Sequence, residues 1–255
     1  MQIPLPQKPT FERKSDNIGV FEIEGLYSGY GITLGNALRR VLLSSLGGSA
    51  ITSFKIGGVD HEFTTIPGVL EDVVQIMLNL KKLRVKLLSD GPETLYIKAK
   101  GEKEITGKDV EKNANVEIVN PDLVLMTLTD KKASIEMEIV VERGLGYQTA
   151  EKVQREKLPI GTIAVDAIFT PIRSVQDKTE NMRVGERTDY NRLVLRIETD
   201  GTITPEEAFE QAIKILVDQF TAIYTDTKKD VSENNKPEEN ITEKEEEKKS
   251  KKGKK

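Results

Sequence analysis

Two adjacent arginines, Arg39 and Arg40, sit inside the apolar run Thr33-Leu-Gly-Asn-Ala-Leu-Arg-Arg-Val-Leu-Leu-Ser-Ser45. Guanidinium groups are strong, directional donors for carboxylates, and Arg is a frequent anchor of protein–protein contacts. The pair reads as a protein-binding element or as two solvated helix charges, and residue type alone leaves both open. Other chemistry is hard to find. The chain has no Cys and a single His, His61. That excludes disulfides, thiolate catalysis, Cys-ligated metals and a His–His metal site. His61 falls in a predicted strand, Val59-Asp-His-Glu-Phe63, with no nucleophile nearby, and reads as structural. The 42 carboxylates lie mostly in alternating or tail patterns, as solvated faces do. There is no Asp-x-Asp-x-Asp cluster for magnesium-dependent phosphoryl transfer, no Walker-type loop and no Gly-x-Ser-x-Gly turn. Gly144-Leu-Gly146-Tyr-Gln-Thr149 begins like a dinucleotide fingerprint but lacks the third Gly. The charged Ala150-Glu-Lys-Val-Gln-Arg-Glu-Lys that follows stops at Pro159 and does not form the apolar helix a pyrophosphate needs. It reads as a Gly-rich turn. No catalytic residue and no metal or cofactor ligand is assigned.

The elements that must position the arginines follow from periodicity. A first helix is predicted over about Thr33–Leu46, with an apolar stripe of Leu34, Ala37, Leu38, Val41 and Leu42. Thr33 is its expected N-cap and Gly47-Gly48 its stop. A second helix is predicted over Val69–Lys82, with Glu71-Asp72 in its first turn and Lys81-Lys82 in its last, both favourable to the helix dipole. A third starts at Thr204-Pro205-Glu206-Glu207, a capping Thr, Pro at the first helical position and Glu three residues after the Thr. It runs to about Thr225, and its apolar residues lie on two sides: Ala208, Ala212, Ile215, Leu216 and Ile223, and Phe209, Ile213, Leu216, Phe220, Ile223 and Tyr224. Such a helix must be covered twice, by a second copy of the chain or by an intramolecular sandwich.

Between the helices the period is two. Ser134–Val141 alternates Ile135, Met137, Ile139 and Val141 with Glu136 and Glu138, and Arg192–Glu198 alternates Leu193, Leu195 and Ile197 with charge. Ile56-Gly57-Gly58-Val59 reads as a two-residue hairpin turn. Further strands are expected at Phe21–Gly25, Arg84–Leu88, Thr94–Lys100, Val116–Val119, Leu123–Leu128, Gly161–Phe169 and Met182–Arg187. Strands outnumber helices without regular βαβ alternation, so the class is α+β.

The chain is 255 residues long, 37% apolar and 31% charged, with net charge −4. It is no basic nucleic-acid sponge as a whole. No apolar run reaches the roughly 20 residues of a membrane span, and Met1-Gln-Ile-Pro-Leu-Pro does not resemble a signal peptide. A cytoplasmic protein with no membrane partner is expected. Residues 229–255 hold nine Lys, eight acids and only Val231 and Ile241 as aliphatics, a composition that favours disorder. Lys248–Lys255 carries six positive charges, which suit a loose, weak contact with DNA phosphates or a solubilising tail.

The Thr33–Ser45 segment closely resembles the signature helix of the alpha subunit of bacterial DNA-directed RNA polymerase. Ordered matches continue through Gly58-Val-Asp-His-Glu-Phe, Gly68-Val-Leu-Glu-Asp-Val, Leu78-Asn-Leu-Lys, Val116-Glu-Ile-Val-Asn-Pro121, Arg143-Gly-Leu-Gly-Tyr147, Leu158-Pro-Ile-Gly161, Val165-Asp-Ala, Arg187-Thr-Asp189 and Glu198-Thr-Asp-Gly-Thr-Ile-Thr-Pro-Glu-Glu207. The resemblance spans nearly all of residues 11–228. It implies two interleaved domains and a tail. A dimerisation domain of helices packed on an antiparallel sheet would come from residues 1–47 and 172–228, with a β-rich insert at 48–171 and the disordered Lys/Glu-rich tail from 229.

By the same resemblance the chain is a homodimeric scaffold, a subunit without catalytic residues in a nucleotidyltransferase, which nucleates assembly of the beta and beta-prime subunits for transcription. Its location would be nucleoid-associated through the polymerase, and its link to DNA indirect. Beta contacts fall on Arg40 and Leu43, with Arg39 beside them, and on Gly68, Glu71 and Asp72. Beta-prime contacts fall on Lys81, Arg173, Glu186 and Arg187. Dimerisation falls on Leu34, Leu38, Val41 and Leu42 of the first helix and on Phe209, Ile213, Leu216, Phe220 and Ile223 of the third. The family's magnesium belongs to beta-prime, so no cofactor is expected here. The family's usual C-terminal DNA-binding domain has no counterpart in this sequence. The short mixed-charge loop from Tyr147 to Pro159 does not resemble the acidic activator contact of some relatives.

Overall fold

The structure is a computed structural model that describes residues 3–154 and 158–234. In chain order its elements are β1 (Thr10–Ser15), β2 (Ile18–Leu26), α1 (Tyr30–Ser44), β3 (Gly47–Ile56), α2 (Val73–Leu80), β4 (Val85–Leu87), β5 (Glu93–Lys100), β6 (Lys103–Thr106), β7 (Val116–Ile118), β8 (Val124–Leu128), β9 (Ser134–Leu145), β10 (Tyr147–Gln148), α3 (Ala150–Gln154), β11 (Thr162–Ala164), β12 (Ala167–Ile168), β13 (Ile172–Val184), β14 (Arg187–Thr199) and α4 (Pro205–Asn234). The described strand pairs are antiparallel. With antiparallel pairing and no regular βαβ alternation, the class is α+β.

One sheet has the order β1-β2-β14-β13. Phe21, Ile23, Leu193, Leu195 and Ile197 are buried, and the β2–β14 register pairs Ile23 with Leu193 and Phe21 with Leu195, so they share a face. Two helices cover that face. In α1, Leu38 and Leu42 are buried, and Gly35 lies against Leu193. In the first turns of α4, Ala208, Phe209 and Ala212 are buried, and the Phe209 ring stacks on Phe21 at 4.1 Å. The second sheet, β11-β3-β9-β5, has its own core. That core runs from Ile51 to Val165 and includes Phe54, Ile76, Leu80, Ile97, Leu125, Ile139 and the other inward residues of β9. Pairs β4–β7, β6–β8 and β10–β12 complete the strands. By its contacts the chain divides between Ile213 and Lys214. The described residues of the second unit, 214–234, are the remainder of α4.

Several expected boundaries move, each for a physical reason. Helix α1 begins at Tyr30, so Thr33 is not its N-cap; Gly29 holds that position with a left-handed φ of 86° and no side-chain cap of its own, while the Thr33 hydroxyl donates to the Gly29 carbonyl. Gly47 and Gly48 do not merely stop the helix; they open β3, paired with Leu145 and Gly144. Helix α2 begins at Val73, not Val69, because Asp72 caps it by accepting from the Gln75 amide at 2.6 Å. Val69 instead forms a β-bridge with Leu128. The turn at Gly57-Gly58 exists, but no strand returns from it. The chain pairs β3 with β9, and His61 lies in an exposed loop where its Nδ1 meets the Thr64 hydroxyl at 3.0 Å.

The remaining differences lie in the second half of the chain. The expected strand Met182–Arg187 is the end of β13 and the first residue of β14 with the turn Gly185-Glu186 between them, and Gly161–Phe169 splits into β11 and β12. The Gly144 segment is a strand end: a Cβ at Gly144 would press on the Phe169 ring at 2.7 Å, so packing is what excludes a side chain there. Helix α4 continues to Asn234, six residues into the expected tail. Each added residue of an existing helix closes one more backbone hydrogen bond, which carries it past the last apolar turn. Residues 235–255, with the Lys248–Lys255 run, lie outside the described residues.

Candidate functional site

Helix α1 is held against the sheet from below and from one end. Its buried side carries Gly31, Gly35, Leu38 and Leu42. Gly31 is required sterically: a Cβ there would meet Thr179 Cγ2 at 2.5 Å and Asn191 Cβ at 2.9 Å. The first amides of an α-helix need acceptors. Here Asn191 on β14 supplies one, its Oδ1 accepting from Gly29 N at 2.9 Å and Gly31 N at 3.3 Å. The Asn191 Nδ2 donates to Asn181 Oδ1 at 3.1 Å on the neighbouring strand β13.

The opposite side of α1 faces solvent, with Arg39, Arg40 and Leu43 exposed. The Arg39 guanidinium donates to Asp177 on β13 at 3.0 Å, so it fastens the helix to the sheet. The Arg40 side chain has no hydrogen-bond or ion-pair partner among the described residues. Leu43 lies three residues on, on the same side of the helix. A cation with five unengaged donors lies next to an exposed apolar side chain, on a helix held at its start by Asn191 and along its length by Arg39, and can receive a carboxylate.

The Gly68–Asp72 residues sit elsewhere, alongside β8. Gly68 has a left-handed φ of 77°, and its carbonyl accepts from Thr129 N at 2.9 Å. The Glu71 carboxylate accepts from the Thr127 amide at 2.7 Å and from its hydroxyl at 3.1 Å. Asp72 caps α2. All three shape the local backbone, and no hydrogen bond or ion pair joins them to α1. Next to them, Leu70 and Leu78 are exposed apolar residues.

The four residues expected to face beta-prime divide into separate places. Lys81 pairs with Asp166 at 3.4 Å. Asp166 also accepts from Ala150 N at 2.9 Å, the first amide of α3. That backbone bond, together with Lys81 and the Tyr147 hydroxyl, holds the Asp166 carboxyl below its ordinary range against partial burial. Arg173 is exposed near the start of β13. Glu186 and Arg187 lie at the other end of the β13–β14 hairpin. Twelve residue steps of β14, roughly 40 Å of strand, separate Arg187 from Thr199, the partner of Ile172. Arg187 is engaged within the chain. It makes a two-pronged bond to Asp189 at 3.0 and 2.7 Å, with its guanidinium carbon 5.0 Å from the Tyr27 ring and 5.3 Å from the Tyr190 ring. Asp189 and Tyr27 push its pKa further up.

The expected dimerisation residues also divide. Leu38, Leu42 and Phe209 are buried in the chain's own core. Leu34, Val41 and Leu216 are half-buried. Ile213, Phe220 and Ile223 are exposed, and Val217 joins them. Ile213, Val217 and Phe220 follow the i, i+4, i+7 spacing of one helix stripe.

Asn191, Asp177 and Asp166 were not singled out by sequence. Asn191 left a readable trace, a polar residue on the same parity as the inward Leu193, Leu195 and Ile197 of β14. Among the described residues no three His, Asp or Glu side chains converge to hold a metal ion, and no helix is long and apolar enough to cross a membrane.

Comparison with known proteins places this geometry in context. Residues 54–170 match the family model of the RNA polymerase Rpb3/RpoA insert domain. The chain is 49% identical over 249 residues to the DNA-directed RNA polymerase subunit alpha of Clostridium perfringens strain 13, covering 96% of this chain and 77% of that protein. It is 50% identical over 216 residues to the same subunit of Moorella thermoacetica, covering 84% and 69%. Against that of Clostridium botulinum strain Eklund 17B it is 44% identical over 252 residues, covering 98% and 78%.

Proposed function

Because the chain belongs to the family of DNA-directed RNA polymerase alpha subunits, we propose that it works as a homodimeric scaffold on which the beta and beta-prime subunits assemble. In this reading the chain supplies interfaces and no reacting group, and the magnesium of nucleotidyl transfer is held by beta-prime. The observation that carries the beta contact is Arg40, a cation with no side-chain partner among the described residues, beside the exposed Leu43 on a helix fixed by Asn191 and Arg39. The exposed stripe Ile213, Val217 and Phe220 supports the second copy as the cover of α4. Lys81, Arg173, Glu186 and Arg187 are the beta-prime candidates of this reading. Arg187 also supports the fold of the hairpin tip, where Asp189 takes two of its donors and the Tyr27 and Tyr190 rings lie beside its guanidinium.

The test is co-purification of the tagged chain with the beta subunit of the same source. A complex of two copies with one beta is expected. Arg40→Ala should keep the dimer and weaken beta binding by about 2–4 kcal/mol, the range of a buried interface anchor. Wild-type beta affinity in that variant removes the anchor role, and a dimer that elutes alone removes the scaffold.

A further inference from the structure

We infer that Asn191, on strand β14, is a positioning residue for beta-subunit binding, setting the placement of α1 and thereby of Arg40; this rests on the scaffold reading above. The argument starts from the end of the helix. The first turns of an α-helix have unpaired amides, and a side chain preceding the helix ordinarily accepts from them. In α1 the N-cap is Gly29, which has no side chain to do this. The acceptor comes from 160 residues away: Asn191 Oδ1 takes both Gly29 N and Gly31 N.

A local cap would move with its helix. A cap carried on a strand does something different, because it refers the helix to the sheet. Asn191 is nearly fully buried, and its orientation is set by the Nδ2 bond to Asn181 on the next strand. The absence of a Cβ at Gly31 lets the helix approach within contact of Thr179 and Asn191. Two turns on, Arg39 bonds to Asp177 on the same strand β13. The helix is therefore pinned at its start by β14 and along its length by β13. Arg40 lies about two and a half turns beyond Gly31, so a tilt at the N-terminus is carried along the rigid helix to the guanidinium. The Arg187 cage stiffens the same end, joining the hairpin tip to Tyr27 and, through Asp189, to Ser28 in the turn that enters α1.

Two consequences separate positioning from mere support of the fold. First, an acceptor is what matters: Asn191→Asp keeps an acceptor oxygen for the two amides and adds a charge that suits a helix N-terminus, but loses the donor to Asn181, so it should bind beta more weakly than wild type and more tightly than Asn191→Ala. Asn191→Ala should bind beta roughly tenfold more weakly as a folded dimer. Secondly, if Asn191 acts through Arg40, the two losses cannot multiply, because coupled residues are non-additive. The double variant Asn191→Ala with Arg40→Ala should bind beta about as poorly as Arg40→Ala alone.

The experiment measures beta affinity for the full-chain dimer of wild type, Asn191→Ala, Asn191→Asp, Arg40→Ala and the double variant, well below each melting temperature. Asn181→Ala, which only removes the hold on the Asn191 amide, replaces Asn191→Ala if that variant does not fold, and is expected to weaken beta several-fold. Wild-type affinity in the alanine variant, an Asp variant that binds no more tightly than Ala, or losses that multiply overturn the positioning role. A normal affinity in Arg40→Ala overturns the scaffold's anchor instead, whatever Asn191 does. Hydrogen exchange on the wild-type dimer is an independent check, since the Gly29 and Gly31 amides must be protected and rapid exchange of both removes the cap.

Discussion

Asp166 shows at the residue scale how one carboxylate can hold several groups. It accepts the first amide of α3, pairs with Lys81 and meets the Tyr147 hydroxyl. Its carboxyl is depressed, first by the Ala150 amide, so the charged form belongs to the folded state. A depressed acid stabilises above its unfolded pKa, near 3.9 for Asp, and that contribution disappears as pH falls through the folded value. Asp166→Asn should therefore melt below wild type at pH 7, with the gap closing below about pH 4. Calorimetry from pH 7 to pH 3 reads this, and a gap constant with pH would show that the charge is not what matters. At this scale the sequence is legible where a side chain's role is local. Arg40 stands out because its neighbours in the helix are apolar. Asn191 and Asp166 do not, because their partners lie far along the chain: Gly29 for one, Lys81 and Ala150 for the other.

Elements follow the same division between local and distant causes. The start of α4 is written within four residues, and the structure has both arms of the capping box: Thr204 N donates to Glu207 and Glu207 N to the Thr204 hydroxyl. Thr204→Ala should cost about 1 kcal/mol, roughly 2–4 °C in Tm for a chain of this size, while Thr204→Ser should restore it. A thermal melt that does not distinguish alanine from wild type removes the cap from the account of α4. The expected start of α2 lies four residues before the observed one, because an acid near a helix start need not be its cap. Asp72 caps, but Glu71 turns to Thr127 on β8. Strand interiors such as Ile135–Val141 follow directly from alternation, since burial has period two. Their partners do not, because periodicity says which face is inward and nothing of which strand lies alongside. That is why Gly57-Gly58 was read as a hairpin although β3 pairs with β9.

For the whole molecule, the unsettled quantity in the amino-acid pattern was the cover of α4. Its early apolar residues, Ala208, Phe209 and Ala212, are buried by the chain's own sheet, which satisfies the intramolecular half of the expectation. Val217 and Phe220 remain exposed, and a second copy is the proposed cover. In a symmetric pair each substitution acts twice. Burying one Phe side chain is worth about 1.5–3 kcal/mol, so Phe220→Asp should weaken the dimer by about 3–6 kcal/mol, more than a hundredfold in dissociation constant. Mass action gives a second signature. A folded state that includes association gains stability with protein concentration, so the wild-type Tm should climb over a hundredfold concentration range. In Phe220→Asp the Tm should be flat and the sedimentation coefficient that of one chain. A wild-type Tm independent of concentration, with the mass of a monomer, would leave the α4 stripe to some other partner and remove the homodimer from the assembly scheme.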